Sequence, residues 1–238
     1  MSKILDNAKA VGILFNLISN LVINVSKLNE DFDNNYKICR DISSRVIEQA
    51  GLDFSVYGQE NIPNEGSVLI ASNHRNFFDI IVLLASIERA MSFVVAQELY
   101  SYPFLKDYIE SINCVSVDRN TTDSTLLKKQ LTDMKNGLNS GGLILFPEGQ
   151  CNYEEDYVRE FKKGGFVAAR SCNSTIVPTY INVENVTRLG RWVVPRDKVT
   201  VTFGKSFTLA DIPGKKPNSE RLAEFTRDKV LELKGLNR

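Results

Sequence analysis

The chain has 238 residues, 43% hydrophobic and 24% charged, enough apolar material for one large domain or two small ones. Its 29 basic and 29 acidic side chains cancel, which argues against nucleic acid as a partner, because gripping it requires an excess of basic groups to neutralise phosphates. Four widely spaced cysteines, Cys39, Cys114, Cys151 and Cys172, form no C-x-x-C pair and suit a reducing compartment, and the single histidine, His74, excludes a multi-histidine metal site.

The most apolar run is Val11 to Val25. It falls short of the roughly 20 uninterrupted apolar residues of a spanning helix, and Asn16, Asn20 and Asn24 interrupt it at four-residue spacing. On a helix these asparagines form one uncharged seam beside Gly12 and Ser19, and Ile13, Phe15, Leu17, Ile18, Leu21 and Val22 cover the other faces. Such a helix suits a bilayer surface or the packed half of a helical hairpin. The mildly positive flank of Lys3, Lys9 and Lys27 against Asp6 favours anionic headgroups. A cleaved signal is a poor fit, since no A-x-A-like site closes the run. Phe32, Tyr36, Cys39, Ile42 and Val46 then recur at helical spacing before Gly51, so a second helix is expected over 31–50, antiparallel to the first and joined to it around 28–31.

From Asp53 the pattern changes to short apolar runs alternating with amphipathic stretches. Strands are predicted at 53–57, 67–71, 92–96, 114–117, 142–146, 176–181 and 199–203, and helices near 77–89, 101–111, 122–140, 159–171 and 219–235. This alternation predicts an α/β domain with a largely buried sheet, over residues 52–238, behind a helical segment over 1–51. The turn-rich stretch at 212–219 is the one linker-like feature. A G-x-G-x-x-G fingerprint and a G-x-S-x-G elbow are absent, and Leu143 stands where the glycines at 137 and 142 would require a P-loop lysine.

His74 lies directly after the predicted strand 67–71, and Asp79 falls in the first turns of the helix that follows. From there a carboxylate reaches back to one ring nitrogen, fixes the tautomer and leaves the other nitrogen to accept a proton. That is the base and orienting half of a triad, and it calls for a substrate hydroxyl as nucleophile. Phe146-Pro147-Glu148-Gly149 ends strand 142–146 at another strand-to-helix junction, where open α/β sheets gather ligands. Glu148 is placed to hold a ligand hydroxyl or order a basic neighbour, and Gly149 permits close backbone approach. Asp118-Arg119 follows strand 114–117, and Lys162 and Lys163 precede Gly164-Gly165, where they could meet an anionic headgroup.

Taken in order, these elements resemble the glycerolipid acyltransferase family that includes 1-acylglycerol-3-phosphate acyltransferase. The family's N-H-x-x-x-x-D motif is matched by Asn73, His74 and Asp79, its acidic-Arg pair by Asp118-Arg119, and F-P-E-G by 146–149. Glu98-Leu99 with Pro103-Phe104 is similar to its E-L-x-x-x-P-F run, 161–164 to its F-K-x-G run, and Val177-Pro178 to its strand with V-P. The resemblance implies a mixed, largely buried central sheet flanked by helices, with an N-terminal helical hairpin. It implies acyl transfer from acyl-CoA or an acyl-carrier protein to a lysophospholipid hydroxyl, with 1-acylglycerol 3-phosphate as the acceptor. Glycerol 3-phosphate acylation, lysophospholipid remodelling and a non-catalytic lipid-binding relative are the alternatives. His74 and Asp79 are the expected catalytic pair, with Asn73, Arg119, Glu148, Gly149, Lys162 and Lys163 as substrate contacts. Backbone N–H groups near the first motif would hold the oxyanion, and no metal or redox cofactor is needed. The implied location is the cytoplasmic face of a membrane, peripheral or monotopic. Where bacterial members usually continue Thr-Arg-Ser after F-P-E-G, this chain has Gln150-Cys151-Asn152.

Overall fold

Nine strands and seven helices alternate in a computed structural model that describes residues 2–151, 157–189, 192–214 and 217–236. Asn152, and residues 215 and 216 of the turn-rich stretch, lie outside the described residues. The strands are β1 (Asp53–Tyr57), β2 (Val68–Ser72), β3 (Ser92–Ala96), β4 (Val115–Val117), β5 (Leu143–Leu145), β6 (Thr175–Val183), β7 (Val186–Leu189), β8 (Trp192–Pro195) and β9 (Lys198–Phe203). The helices are α1 (Ser2–Asn24), α2 (Phe32–Gln49), α3 (Phe78–Ser86), α4 (Pro103–Ser111), α5 (Ser124–Asn139), α6 (Gly164–Ser171) and α7 (Ser219–Leu236).

Seven strands form one sheet in the order β1-β9-β6-β2-β5-β3-β4. The five from β6 to β4 are parallel, β9 runs antiparallel to β6, and β1 is parallel to β9, so the sheet is mixed as expected. Central β2 is buried along its whole length. Its alternate side chains enter two cores. Val68 and Ile70 join residues of α1, α2, α3 and α4, whereas Leu69 and Ala71 join residues of α5, α6 and α7. A strand covered on both faces has no polar side to show, which is why these runs are continuously apolar.

The N-terminal hairpin forms as predicted, with Asp31 capping α2 through its side chain and the Asn34 N–H. Helix α1 buries Ala10, Ile13, Leu17, Leu21 and Asn24. Tyr108 donates its hydroxyl proton to the Leu21 carbonyl at 2.6 Å, and Arg196 pairs with Asp6 at 2.8 Å, fastening α1 at both ends. The helix starts nine residues before Val11, so α1 with its short 3₁₀ continuation is long and apolar enough to cross a membrane by length and composition. The apolar run alone had understated it.

Two segments depart from the sequence reading. The paired strands β7 and β8 were not anticipated. A two-stranded ribbon is marginal alone, and this one packs against α1, a support that local sequence does not reveal. The predicted helix 159–171 begins only at Gly164, because the Arg159 N–H donates to the Glu148 carboxylate and the Lys162 N–H to the Pro147 carbonyl. Those backbone groups serve the F-P-E-G turn instead of a helix.

Candidate active site

Four parallel neighbours, β2, β5, β3 and β4, end at the same edge of the sheet, so the segments that follow them meet although they are far apart in sequence. These are the loop from Asn73, the turn from Phe146, the segment at Gln97-Glu98 and Asp118-Arg119. Ligands of open parallel sheets gather at this carboxyl edge.

Between β2 and α3 the chain is shaped by two buried side chains. Asn76 accepts the Phe78 N–H on Oδ1 at 2.7 Å, a local turn that starts the helix. Asp79, 1% exposed, reaches back, and its Oδ2 accepts from His74 Nδ1 at 2.8 Å and from the backbone N–H groups of Arg75 and Asn76 at 2.6 and 2.8 Å. A carboxylate has only acceptors to offer, so the neutral ring carries its proton on Nδ1 and keeps a lone pair on Nε2. The ring stacks on Phe146 with centroids 4.0 Å apart. Cys151 Sγ stands 3.1 Å from Nε2. Burial, the largest influence on His74, pulls its pKa down, but hydrogen bonds and charge from Asp79 and Cys151 outweigh it and raise the value to about 10.

Glu148, 3% exposed, accepts the His74 N–H on Oε1 at 2.8 Å and the Arg159 N–H on Oε2 at 2.9 Å. Burial raises its pKa, and the two N–H donors only partly offset this. It therefore braces the first motif against the third by holding backbone. Gly149 closes the turn, its N–H on the Phe146 carbonyl at 3.1 Å and its φ at +72°, a left-handed conformation that favours glycine. The Lys162 side chain lies across it: a Cβ there would stand 3.0 Å from Nζ. Arg119 donates to the Gly149 carbonyl at 2.8 Å and pairs with Glu98 at 3.3 Å. Arg119 and Lys162 are thus two cations on one turn.

Four expectations are not met by the placement, the first being Glu148 as a substrate contact, since its two carboxylate oxygens hold backbone N–H groups instead of a ligand hydroxyl. Asn73 spends both ends of its amide on the Ile181 backbone in β6, Nδ2 donating at 3.0 Å and Oδ1 accepting at 2.7 Å. It extends the sheet past Ser72 instead of facing a ligand. Lys163 pairs with Glu220 of α7 at 2.6 Å, while its neighbour Lys162 is the one on the turn. The N–H groups of His74, Arg75 and Asn76 are all taken by Glu148 and Asp79, so they do not make an oxyanion hole in this arrangement. The sequence reading missed the contact of Cys151 with the ring and the stack of Phe146 beneath it. A signal for Cys151 existed, two residues past Gly149, but no local rule points a loop side chain at a residue 77 positions away. Among the described residues no group of three or more His, Cys, Asp or Glu is placed to hold a metal ion.

Near the dyad an apolar cavity of about 80 Å³ lies between α1, α2, α3, α4 and β3, lined by Leu17, Leu21, Ile42, Phe77, Ile81, Phe93, Leu99 and Tyr108 among others. Phe77, three residues after His74, is part of its wall.

Residues 53–182 match the model of the family described as Acyltransferase, over half of the chain, and the protein belongs to that family. It is an O-acyltransferase. Over 202 residues it is 23% identical to the 1-acyl-sn-glycerol-3-phosphate acyltransferase of Bacillus subtilis, covering 84% of this chain and 96% of that one. Over 186 residues it is 30% identical to the enzyme of that name from Saccharomyces cerevisiae, covering 76% of this chain and 60% of the yeast protein. The fold matches the crystal structure of the 1-acyl-sn-glycerophosphate (LPA) acyltransferase PlsC from Thermotoga maritima with a TM-score of 0.78, at 23% identity and 98% coverage of both chains.

Proposed function

We propose that this acyltransferase moves a fatty acyl group from an acyl thioester, acyl-CoA or acyl-carrier protein, to the free hydroxyl of 1-acylglycerol 3-phosphate at a membrane surface. The observation that carries this reading is the 2.8 Å contact of His74 Nδ1 with Asp79 at the carboxyl edge of the sheet, which leaves Nε2 as the ring nitrogen that can accept a proton. In the neutral form of the ring Nε2 takes a proton from the attacking group, Asp79 steadies the imidazolium that forms, and the proton then passes to the departing thiol. Arg119 and Lys162 hold the acceptor phosphate above the F-P-E-G turn. Glu148, Gly149 and Asn73 fix that turn and the loop carrying His74, and act by position.

The acyl chain enters the cavity beside Phe77. At about 80 Å³ the cavity is well below the roughly 300–1,000 Å³ of ordinary ligand pockets, so α1 or α4 moves outward as a chain enters. Ile4, Leu5, Val11, Phe15, Ile18, Val22 and Ile23 leave an exposed apolar side on α1, continuous with a helix that lines the cavity. That side docks on the lipid surface from which both substrates come. The cytoplasmic leaflet, with its anionic headgroups, is the surface favoured by the flanking lysines.

A remodelling enzyme for another lysophospholipid is the second reading, favoured by Gln150-Cys151 where the resemblance expects an arginine. Labelled acyl-CoA offered with lysophosphatidate, other lysophospholipids and glycerol 3-phosphate decides between them. Lysophosphatidate is expected to be preferred, and transfer by His74→Ala to fall about 10²–10⁴-fold, the usual contribution of a general base. Equal rates in the variant would overturn the mechanism, and transfer to none of the acceptors would overturn the function.

A further inference from the structure

Helices α5 and α6 cover the face of the sheet opposite α1. Met134 and Leu138 of α5 and Phe166 of α6 join the core of Leu69 and Ala71, whereas the buried side of α1 joins that of Val68 and Ile70. The two helices touch along their sides, and near their C-terminal ends the Cys172 thiol donates to the Lys135 carbonyl at 3.8 Å. Both start at the edge that carries the site, α5 after Asp118-Arg119 and α6 after Lys162-Lys163. Their charge is one-sided in a chain that is neutral as a whole. Helix α5 has Lys128, Lys129 and Lys135 against Asp133 alone, and α6 has Arg170 and no acid, while in neighbouring α7 acids and bases cancel. Lys129 holds Asp133 at 2.5 Å. Lys128, Lys135 and Arg170 have no acidic partner among the described residues. Lys128 and Lys135 are two turns apart and so share one side of α5, Lys128 and Arg170 are exposed, and Leu127 beside them is 47% exposed.

We propose that the outer face of α5 and α6 is the docking surface of an acidic carrier protein, which presents the acyl group to the site as its thioester. The inference rests on the acyltransferase reading above and assigns this face to the donor. Unpaired cations with no acid among them attract a partner of opposite charge and orient its approach, and an exposed leucine in their midst supplies the apolar contact that a charged rim surrounds. The charge complementarity therefore selects an acidic protein surface. Lys162, on the F-P-E-G turn, continues the positive field to the reactive edge, so a carrier seated on α5 and α6 holds its thioester arm beside His74. The lipid contact proposed for α1 lies across the sheet, which turns the α5–α6 face away from the bilayer and toward a soluble partner. A coenzyme A thioester is small enough to need only the site, and the face then distinguishes one donor from the other.

The test measures transfer to lysophosphatidate from two donors, a palmitoyl-loaded acyl-carrier protein and palmitoyl-CoA. It compares the full-length wild type with the charge-reversed variant Lys128→Glu/Lys135→Glu/Arg170→Glu. The variant is expected to raise KM for the carrier about tenfold or more, and to leave kcat and KM for palmitoyl-CoA within about twofold of the wild type. The milder pair Lys128→Ala/Arg170→Ala, both at exposed positions, is expected to shift KM for the carrier in the same direction, and it decides the matter if the reversed variant folds poorly. An unchanged KM for the carrier, an equal rise for both donors, or wild-type transfer from palmitoyl-CoA with none from the carrier overturns the docking surface. Loss of binding to anionic vesicles with no change in KM also overturns it, because the face would then be a lipid contact. Absence of transfer from either donor is a different result: it overturns the acyltransferase reading itself.

Discussion

Asn73 is a side chain of the sequence motif whose partners in the structure are backbone groups. Its amide replaces a backbone pair, and Ile181 N and O have it as their partner beyond the end of β2. Asn73→Ala strands both groups at a position 2% exposed. Leaving a buried donor or acceptor unpaired costs about 1–3 kcal/mol, so the variant is expected to lose about that much stability in urea unfolding. Asn73→Asp keeps the acceptor but not the donor and should lose stability as well. An unchanged midpoint in Asn73→Ala would mean that the amide does not hold the loop.

At the scale of elements, α1 divides its apolar surface in a way its sequence only half revealed. Ile13, Leu17 and Leu21 face the protein, and Phe15, Ile18 and Val22 face outward, so one helix serves both as hairpin partner and as an exposed apolar side. The asparagines that seemed to mark a seam turn their amides onto the helix itself, Asn20 to the Asn16 carbonyl at 2.9 Å and Asn24 to the Asn20 carbonyl at 2.8 Å. Spending their donors on backbone four residues earlier is how asparagines sit in an apolar helix. Phe15 is 69% and Val22 45% exposed, so replacing both by Asp tests the membrane contact proposed for this face with little effect on packing. Burying a side chain of this size contributes about 1.5–3 kcal/mol. Co-sedimentation with anionic vesicles is therefore expected to weaken at least about tenfold, with the melting temperature nearly unchanged. Full vesicle binding by the double variant would count against this face as the docking surface.

For the whole molecule, the raised His74 pKa links the site to global stability. The ring titrates at 6.5 when unperturbed and at about 10 in the folded protein, so the folded state binds its proton more tightly. That contribution is fully present below pH 6.5 and is lost as pH rises through about 10. His74→Gln removes it. The melting-temperature difference between wild type and His74→Gln should be larger at pH 6 than at pH 10, and a difference independent of pH would refute the linkage.

The sheet was legible because its strands are buried on both faces: runs such as Val68–Ala71 and Gly142–Phe146 have no other way to satisfy their composition. His74 and Asp79 were legible because a short loop and one helical turn bring them together, and so few torsions leave little freedom. The hairpin β7–β8 was not legible, since its support comes from α1 in a distant part of the chain. Nor was the division of Lys162 from Lys163. Adjacent lysines look alike in sequence, and only the position of Glu220 on α7 sends one away from the turn.

By itself the sequence determined the alternation of elements, the hairpin at the N-terminus and the pairing of His74 with Asp79, because each of these depends on periodicity or on neighbours within a few residues. The tertiary structure alone decided that Cys151 faces Nε2, that Glu148 holds backbone and that Asn73 belongs to the sheet. These depend on four parallel strands ending side by side, and the strand order that puts them there is set by packing across the entire chain.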